Sequence, residues 1–366
     1  MSSLLGRHFR VMSFGESHGK AVGCVLENCP AGMPLSEADI QPDLDRRKPG
    51  QSKITTQRKE PDLVNILSGT YREITTGAPI AMVVYNQDQK EKDYDNLESA
   101  FRPSHADFTY HTKYGHRAHT GGGRASARAT IGMVAAGAVA KKVLIQKTQT
   151  IIAAYVSSIY NISLPEDYAI GNIQTLKQDV EKNMVRCPDQ AIAAKMESLI
   201  MDISRQGDSV GGVIDLVVEN PPAGLGSPTA DRLDALLAAA MMGIPAVKGV
   251  EIGSGFSGSR MLGSQHNDAF YNDNGRIRTR SNFSGGIQGG ISNGEPIYMR
   301  IAFKPTATIR MDQETVNQKG ESVILKSKGR HDPCVLPRAV PIVEAAAALI
   351  LADEFLLNKL GRLENI

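Results

Sequence analysis

Apolar and polar positions along the chain predict alternating strands and helices. Runs of β-branched residues with partial alternation, typical of strands, cover residues 21–27, 79–85, 150–159, 211–219, 246–252 and 296–303. Apolar residues at helical spacing predict helices over 36–47, 125–144, 189–206, 229–242 and 337–360. Ser36 and Asp39 fit a capping box at the start of the first helix. We expect Pro42 to break or kink that helix, because proline cannot donate the backbone hydrogen bond.

The helices over 125–144 and 337–360 are rich in alanine and only weakly amphipathic. Such helices are typical of positions buried on several sides, which favours an α+β fold with central helices between sheets. No linker or composition shift divides the chain, so we expect a single domain over residues 1–366. The similar segments PAGMPLSEAD (30–39) and PAGLGSPTAD (222–231) are consistent with an internal pseudo-repeat or with chance.

The overall charge argues against a polyanionic partner, because 41 Lys and Arg face 39 Asp and Glu, a net charge of +2. Within shorter segments, basic residues outnumber acidic ones. Residues 101–147 carry only one acidic residue, Asp107, and a second basic run occupies 46–53. Local positive charge in a nearly neutral protein favours a small anionic ligand.

The four cysteines form no C-x-x-C pair, which predicts free thiols in a reducing compartment. The first ten residues lack the apolar core of a signal peptide. The apolar stretch 131–140 is too short to span a membrane, so we expect a cytoplasmic protein without a membrane partner.

The segment GSGFSG (253–258) matches G-x-G-x-x-G and follows a predicted strand. A dinucleotide site also requires a helix to open there, and the following sequence has no helical periodicity. We therefore predict a loop. An NAD(P)-dependent dehydrogenase remains one alternative function, and a non-enzymatic polyanion-binding module that uses the basic stretches remains another.

Several short motifs combine Arg or His with Gly or Pro turns. In GGGRASAR (121–128), Arg124 and Arg128 lie four residues apart, so we expect them to share a helical face, and they are either phosphate ligands or solvated arginines. His116 and His119 have too few neighbouring ligand residues for a zinc site, so we predict no metal. GESHG (15–19), RPSHAD (102–107) and GRHDP (329–333) repeat the pattern, which predicts a pocket for a multiply anionic ligand with histidines placed for acid–base work.

FGESHG (14–19), DLDRRKPG (43–50), FRPSHADFTY (101–110), GGGRASAR (121–128), VKGVEIGSGF (247–256) and KGRHDPCV (328–335) together resemble the motif set of chorismate synthases, in the same order. The resemblance covers nearly the whole chain. It implies conversion of 5-enolpyruvylshikimate 3-phosphate to chorismate by a 1,4-anti elimination of phosphate, the last step of the shikimate pathway. It also implies a requirement for reduced FMN, a β-α-β sandwich fold and a homotetramer.

The resemblance also implies roles for individual residues. His18 would donate a proton or hydrogen bond to the leaving phosphate, His105 would protonate or polarise the reduced flavin, and Asp332 would assist proton removal. Arg47, Lys53 and Arg102 would bind substrate or, for the first two, a pyridine nucleotide. The flavin-binding positions carried over are Arg124, Ala125, Ser126, Pro245, Ala246, Gly289, Lys304, Pro305, Thr306, Ala307, Thr308 and Arg330.

The chain departs from the family pattern at a few positions. Lys48 and Lys53 stand where many members have arginine, which keeps the charge but loses the bidentate fork. Ala125 replaces a frequent serine, and His116 and His119 match no family motif. The sequence leaves open whether NADPH or an outside reductase reduces the flavin.

Overall fold

The computed structural model describes residues 3–56, 58, 60–88, 99–117, 121–165, 168, 171–326 and 332–365. Its strands are β1 (Leu4–Leu5), β2 (Arg10–Gly15), β3 (Ala21–Glu27), β4 (Val64–Ile66), β5 (Thr70–Tyr71), β6 (Ile74–Thr75), β7 (Ile80–Tyr85), β8 (Ile151–Ile159), β9 (Ile162–Ser163), β10 (Gly212–Glu219), β11 (Val247–Ile252), β12 (Phe270–Asp273), β13 (Arg276–Thr279), β14 (Ile287–Gln288), β15 (Ile291–Ser292), β16 (Ile297–Phe303), β17 (Gln313–Val316) and β18 (Ser322–Leu325).

The helices are α1 (Glu37–Arg47), α2 (Asp107–Tyr114), α3 (Ile131–Thr148), α4 (Ile173–Val180), α5 (Gln190–Gln206), α6 (Leu233–Met242), α7 (Gly255–Gly258), α8 (Gly263–His266) and α9 (Leu336–Asn358). Short 3-10 turns occupy Gly123–Ala125, Ala127–Thr130, Lys359–Gly361 and Leu363–Asn365.

Two antiparallel five-stranded sheets enclose a pair of long helices. The first sheet has the order β1-β2-β3-β7-β4 and the second β11-β16-β10-β8-β9. Helix α3 packs against the first sheet and α9 against the second, and the two helices pack on each other. They approach so closely that a Cβ at Gly137 would collide with Ala345. The predicted α+β sandwich with central helices is therefore confirmed.

Burial of the central helices follows from their composition. Every residue of α9 from Leu336 to Glu354 is buried, and small alanine side chains let neighbouring backbones approach on all sides. One apolar cluster extends along the chain from Phe9 to Ala352. The segment Ala127–Thr148 is long and apolar enough to cross a membrane, but 67% of its most apolar window is buried inside the protein, as in a core helix.

All six predicted strands are present, each within one residue of its expected start. Helix prediction was less accurate at the N-termini, because α3 begins at Ile131 rather than residue 125 and α6 begins at Leu233 rather than residue 229. Helix α1 has the expected capping box, but it runs through Pro42 without a break. The four cysteines are free, as predicted, and all four are buried.

The two halves of the chain each supply one large sheet and one long helix, and each contains a PAG turn shortly after a strand of its sheet, β3 in the first half and β10 in the second. Gly32 and Gly224, the last residues of those turns, both adopt left-handed backbone conformations, with φ of 85° and 97°. Glycine adopts this region without steric cost, which explains its place in both turns. Whether the halves arose by duplication stays a prediction.

Candidate active site

Loops from both halves of the chain line a cavity of about 540 Å³ at one end of the central helices, a volume ordinary for small-molecule sites. The walls come from the turn after β2, the chain after α1, the 102–106 loop, the 3-10 turns before α3, the approach to β11, the chain after β16 and the start of α9. The predicted site residues on these walls are His18, Arg102, His105, Arg124, Ala125, Ser126, Pro245, Ala246, Lys304, Thr306, Ala307, Thr308 and Asp332.

His18 is held by the tight turn between β2 and β3. The Ser17 hydroxyl lies 3.1 Å from its Nδ1 atom. The amide of Asn86 donates to the carbonyls of Glu16 (3.1 Å) and Gly19 (2.6 Å), which fixes both ends of the turn. The ring packs so closely on Gly121, itself at φ 71°, that a Cβ there would collide with it. This glycine therefore sets the position of the imidazole.

His105 also lies on the cavity wall, just before α2. Its Nδ1 atom is 2.9 Å from Oδ1 of Asp107, the first residue of that helix. Burial lowers the pKa of His105 below its ordinary value, and the positive charges of Arg102 and Lys304 act in the same direction, while Asp107 opposes them. Ser104, immediately before it, has a left-handed backbone with φ 56°. That conformation is uncommon for a non-glycine residue and marks a constrained loop.

Asp107 is the centre of a buried ion cluster. Arg102 donates to it from Nε (2.7 Å) and Nη2 (2.8 Å), and Nη1 of Arg117 lies 3.2 Å from Oδ1. Burial alone would raise the pKa of Asp107, but hydrogen bonds from Arg102 and His105 outweigh it and lower the pKa well below its usual range. Nη2 of Arg102 also donates to the carbonyl of Gly121 (2.8 Å), so much of this guanidinium is already engaged within the protein.

Asp332 stands where α9 meets the cavity. One carboxylate oxygen accepts from the backbone N–H of Thr56 (2.8 Å), and the other forms an ion pair with Arg338. The Thr306 hydroxyl donates to the Asp332 carbonyl (2.8 Å). Three separate segments therefore fix this carboxylate at the edge of the cavity.

Cationic side chains dominate the cavity wall. Arg124 donates to Gly15 (3.1 Å) and to the Ser13 hydroxyl (2.8 Å), while Arg128 pairs with Asp62 at 2.8 Å. The helical spacing expected for these two arginines was wrong, because Gly123–Ala125 and Ala127–Thr130 are 3-10 turns and the α-helix starts later. Both side chains still reach the cavity.

Lys304, at the end of β16, completes the cationic wall. Its backbone N–H donates to Ala246 (2.9 Å), which joins the 304–308 segment to the approach to β11. Ala246 has φ 74°, a conformation that costs an alanine on the order of 1 kcal/mol or more. Burial lowers the pKa of Lys304, as does the neighbouring Lys248.

The comparisons with known proteins agree with one another. Residues 9–356 match the family model described as chorismate synthase. A Synechococcus sp. (strain WH7803) protein named chorismate synthase is 57% identical over 357 residues, which is 97% of this chain and 98% of that protein. The chain belongs to the chorismate synthase family. A relative of the same name from Cytophaga hutchinsonii is 54% identical over 365 residues and covers 100% of both chains.

A solved structure described as a crystal structure of chorismate synthase is similar in fold as well. It superposes with a TM-score of 0.77 at 32% identity, over 96% of this chain and 93% of that one. The family assignment and the fold therefore leave no support for the dehydrogenase and polyanion-binding alternatives. The last four residues of GSGFSG form one helical turn, α7, rather than the expected loop. The strand before the segment belongs to an antiparallel sheet and not to a dinucleotide-binding unit.

Some residues predicted from the chorismate synthase motifs do not line this cavity. Arg47 is 1% exposed, and its guanidinium bonds Thr130 (3.3 Å) and the Ala127 carbonyl (2.5 Å) beneath the 3-10 turns. Burial first, and then the charge of Arg338, lower the pKa of Arg47 to about 9. Lys53 and Pro305 are exposed, and Gly289 lies in the turn between β14 and β15. Arg330 and His119 lie outside the described residues.

Sequence reasoning missed several residues that shape the site. Asn86, Asp62 and Glu60 support the cavity from behind, and Ser17, Arg58 and Arg338 lie on its wall. Arg58 was visible only as part of a basic run, and Arg338 only as the first cation after the GRHDP motif. Asp62 gave no local signal, because its partners Arg47 and Arg128 are distant in the chain. Glu60 pairs with the distant Arg128 as well as with the nearby Arg58.

A second cavity of about 950 Å³ adjoins the first and shares His105, Tyr110 and Arg124 with it. His116 lies on its wall. Among the described residues, no group of three or more His, Cys, Asp or Glu is arranged to hold a metal ion.

Proposed function

We propose that this protein is a chorismate synthase that eliminates phosphate from 5-enolpyruvylshikimate 3-phosphate with reduced FMN as its cofactor. The observation that carries the proposal is the convergence of two histidines, a carboxylate and several cations in one cavity of a chain of this family. The substrate has one phosphate and two carboxylates, and FMN adds a second phosphate. A cavity lined by cations matches that charge.

The residues on the cavity wall suit a flavin and its phosphate. Backbone groups of 304–308 and 245–246, with the Thr306 and Thr308 hydroxyls, would hold it, and Arg124 would contribute a charged donor. Reduced flavin, when bound, supplies the electron density that starts phosphate departure and recovers it at the end. The protein's part is position, charge and proton control.

His18 and His105 have separate roles in proton transfer. His18 donates to the phosphate as it leaves, which lowers the cost of charge developing on the leaving oxygen. His105 presents its Nε2 to the cavity, since Nδ1 is occupied by Asp107. Asp332, held by Thr56 and Arg338, assists removal of the C6 proton. Arg58, Arg128 and Arg338 complete the positive surface that retains the anionic substrate.

An anaerobic assay with 5-enolpyruvylshikimate 3-phosphate and photoreduced FMN tests this function. We expect chorismate and inorganic phosphate in equal amounts, without stoichiometric flavin oxidation. The matched control replaces photoreduced with oxidised FMN and should give no product. Absence of both products from the complete mixture would sink the proposal.

The source of reducing equivalents is a separate question. NADPH is a candidate reductant, and an outside reductase is the alternative. The same assay with oxidised FMN and NADPH, under anaerobic conditions, distinguishes them. Turnover would assign the reduction to this protein, and dependence on photoreduction or an added reductase would assign it to a partner.

We also infer a cytoplasmic homotetramer with a single domain over residues 1–366, on the strength of the family resemblance. Sedimentation velocity at several protein concentrations tests the assembly, and a mass other than four chains contradicts it. One cooperative transition in calorimetry would support the single domain. Fractionation of the source cells tests the location.

A further inference from the structure

The hydrogen bond between His105 and Asp107 has a consequence for the chemistry of the imidazole. An ionised carboxylate can only accept hydrogen bonds, so the Nδ1 atom at 2.9 Å must carry the hydrogen. Two arginines hold the carboxylate ionised, Arg102 through Nε at 2.7 Å and Arg117 through Nη1 at 3.2 Å. The tautomer of His105 is therefore fixed, and Nε2 is left for the cavity.

We propose that Asp107 is a positioning residue that sets the tautomer and the protonation of His105 for its role in the cavity. The proposal rests on the proposed function, in which His105 acts on bound flavin. Asp107 does not itself line the 540 Å³ cavity, whereas His105 does. Its effect on a ligand there must therefore pass through a side chain that it holds on the cavity wall, either the imidazole of His105 or the guanidinium of Arg102, and we assign it to the imidazole.

The loop geometry holds the Asp107 carboxylate firmly against the His105 ring. Asp107 is 5% exposed, and its backbone begins α2 only two residues after His105. The backbone N–H of Arg102 also donates to Oδ2 (3.1 Å), so both carboxylate oxygens are restrained. The left-handed Ser104 and the bond from the His105 N–H to the Arg102 carbonyl (3.2 Å) fold the loop so that ring and carboxylate meet.

Because the other charges around His105 are positive, Asp107 has a large influence on the pKa of the imidazole. Arg102 faces the ring from its own loop, and Lys304 faces it from the end of β16; Arg117 stands behind Asp107, and Arg124 shares the cavity wall. Asp107 is the acidic group that acts on the ring from this set. Without it, burial and the cations act unopposed, so the pKa of His105 must fall further and its proton is lost at a lower pH.

The test combines Asp107→Asn with a readout that needs no turnover. Diethyl pyrocarbonate modifies neutral imidazole, so the rate of His105 modification against pH, followed by peptide mass spectrometry, gives its titration midpoint. We expect the midpoint to fall in Asp107→Asn. In the anaerobic assay we expect kcat at neutral pH to fall by about 10- to 100-fold, less than the loss of about 10²–10⁴ expected for removing a general acid. Part of that loss should be recovered at lower pH.

Arg117→Gln is the matched control, because it weakens the same buried cluster at 3.2 Å from Asp107 without removing the carboxylate. It should lower the melting temperature without lowering the midpoint of His105. If Asp107→Asn and Arg117→Gln have equal effects on kcat, and neither moves the midpoint, Asp107 is merely structural.

If Asp107→Asn fails to fold, Asp107→Glu keeps the charge on a longer side chain. It should leave the midpoint near that of the unmodified protein while kcat falls, and a normal kcat would overturn the proposal.

A double-mutant cycle with His105→Gln gives an independent test. Asp107→Asn should cost little in that background, because its effect passes through the imidazole. An equal cost in both backgrounds overturns the proposal. Failure of the unmodified protein to produce chorismate would instead count against the proposed function, while the chemical titration would still report on the His105–Asp107 pair.

Discussion

Arg338, in the first turn of α9, forms an ion pair with Asp332, six residues earlier at the edge of the cavity. The same guanidinium donates from Nε to the Arg47 carbonyl (3.2 Å), at the end of α1. One buried arginine thus connects the proposed proton-removing carboxylate to two of the helices that surround the cavity. Its side chain is only 8% exposed, so solvent screens the pair little.

Replacing Arg338 by Gln should reduce turnover by about 10- to 100-fold, because a hydrogen bond to a charged group contributes about 1.5–3 kcal/mol and here orients Asp332. Anaerobic steady-state kinetics measures the effect. Arg362→Gln is the matched control, since Arg362 is 76% exposed and, within the part of the chain that the structure describes, forms its ion pair with the exposed Glu364. Equal rates for both variants would remove Arg338 from the mechanism.

Replacing His18 by Ala should lower kcat by about 10²–10⁴, the usual contribution of general acid–base catalysis, while the flavin still binds. Turnover is measured anaerobically, and flavin affinity by fluorescence quenching. His8→Ala serves as the control, because His8 is exposed and its side chain lies outside the cavity. An unchanged kcat in His18→Ala would contradict the assigned role.

Replacing Arg124 by Ala should weaken flavin or substrate binding by about 10- to 100-fold, the equivalent of one charged hydrogen bond. The fold should survive, because the arginine lies at the cavity wall and its own partners are backbone and hydroxyl oxygens. Isothermal titration and thermal melting separate the two effects. Arg205→Ala, on an exposed helix face, is the control. A collapsed melting temperature with normal affinity would show that Arg124 is structural.

From the ion pairs of Glu344 we expect the free energy of unfolding to depend on pH. It is buried in α9, and it accepts from Arg46 at 2.7 Å and from Lys141 at 2.8 Å. Burial alone would raise its pKa, but these two cations outweigh burial and lower the pKa. A depressed folded-state pKa contributes stability above the unfolded value of about 4.3, and the contribution is lost as the pH falls below that value.

Glu344→Gln should therefore cost at most about 3–5 kcal/mol of unfolding free energy at pH 7, because it removes the buried carboxylate that Arg46 and Lys141 share and leaves them with Asp43 and Glu181 as acidic partners. Its stability should also fall less steeply than that of the unmodified protein between about pH 5 and pH 2. Urea unfolding at a series of pH values measures both effects. Glu364→Gln, 70% exposed, is the control. Parallel pH profiles for the two variants would contradict the prediction.

Local pattern predicted the elements well where apolar periodicity is strong. The six predicted strands are present because each is a run rich in β-branched residues that lies within one of the two large sheets. The start of α3 was misplaced because glycine and alanine before Ile131 are compatible with 3-10 turns as well as α-helix, and only packing chooses between them. Short strands such as β5 and β9 carry too few residues for any periodicity to show.

By itself the sequence determined the strands, the main helices, the family resemblance and the residues with site chemistry. The tertiary structure decided which of those residues share one cavity, since Asp332 and Thr56 meet across 276 positions of the chain. It also decided that Arg47 and Arg102, both expected to bind substrate, are engaged inside the protein by Ala127, Asp107 and Gly121. The physical reason is that periodicity and motifs report interactions between neighbours in the chain. Burial and charge pairing depend on segments that only packing brings together.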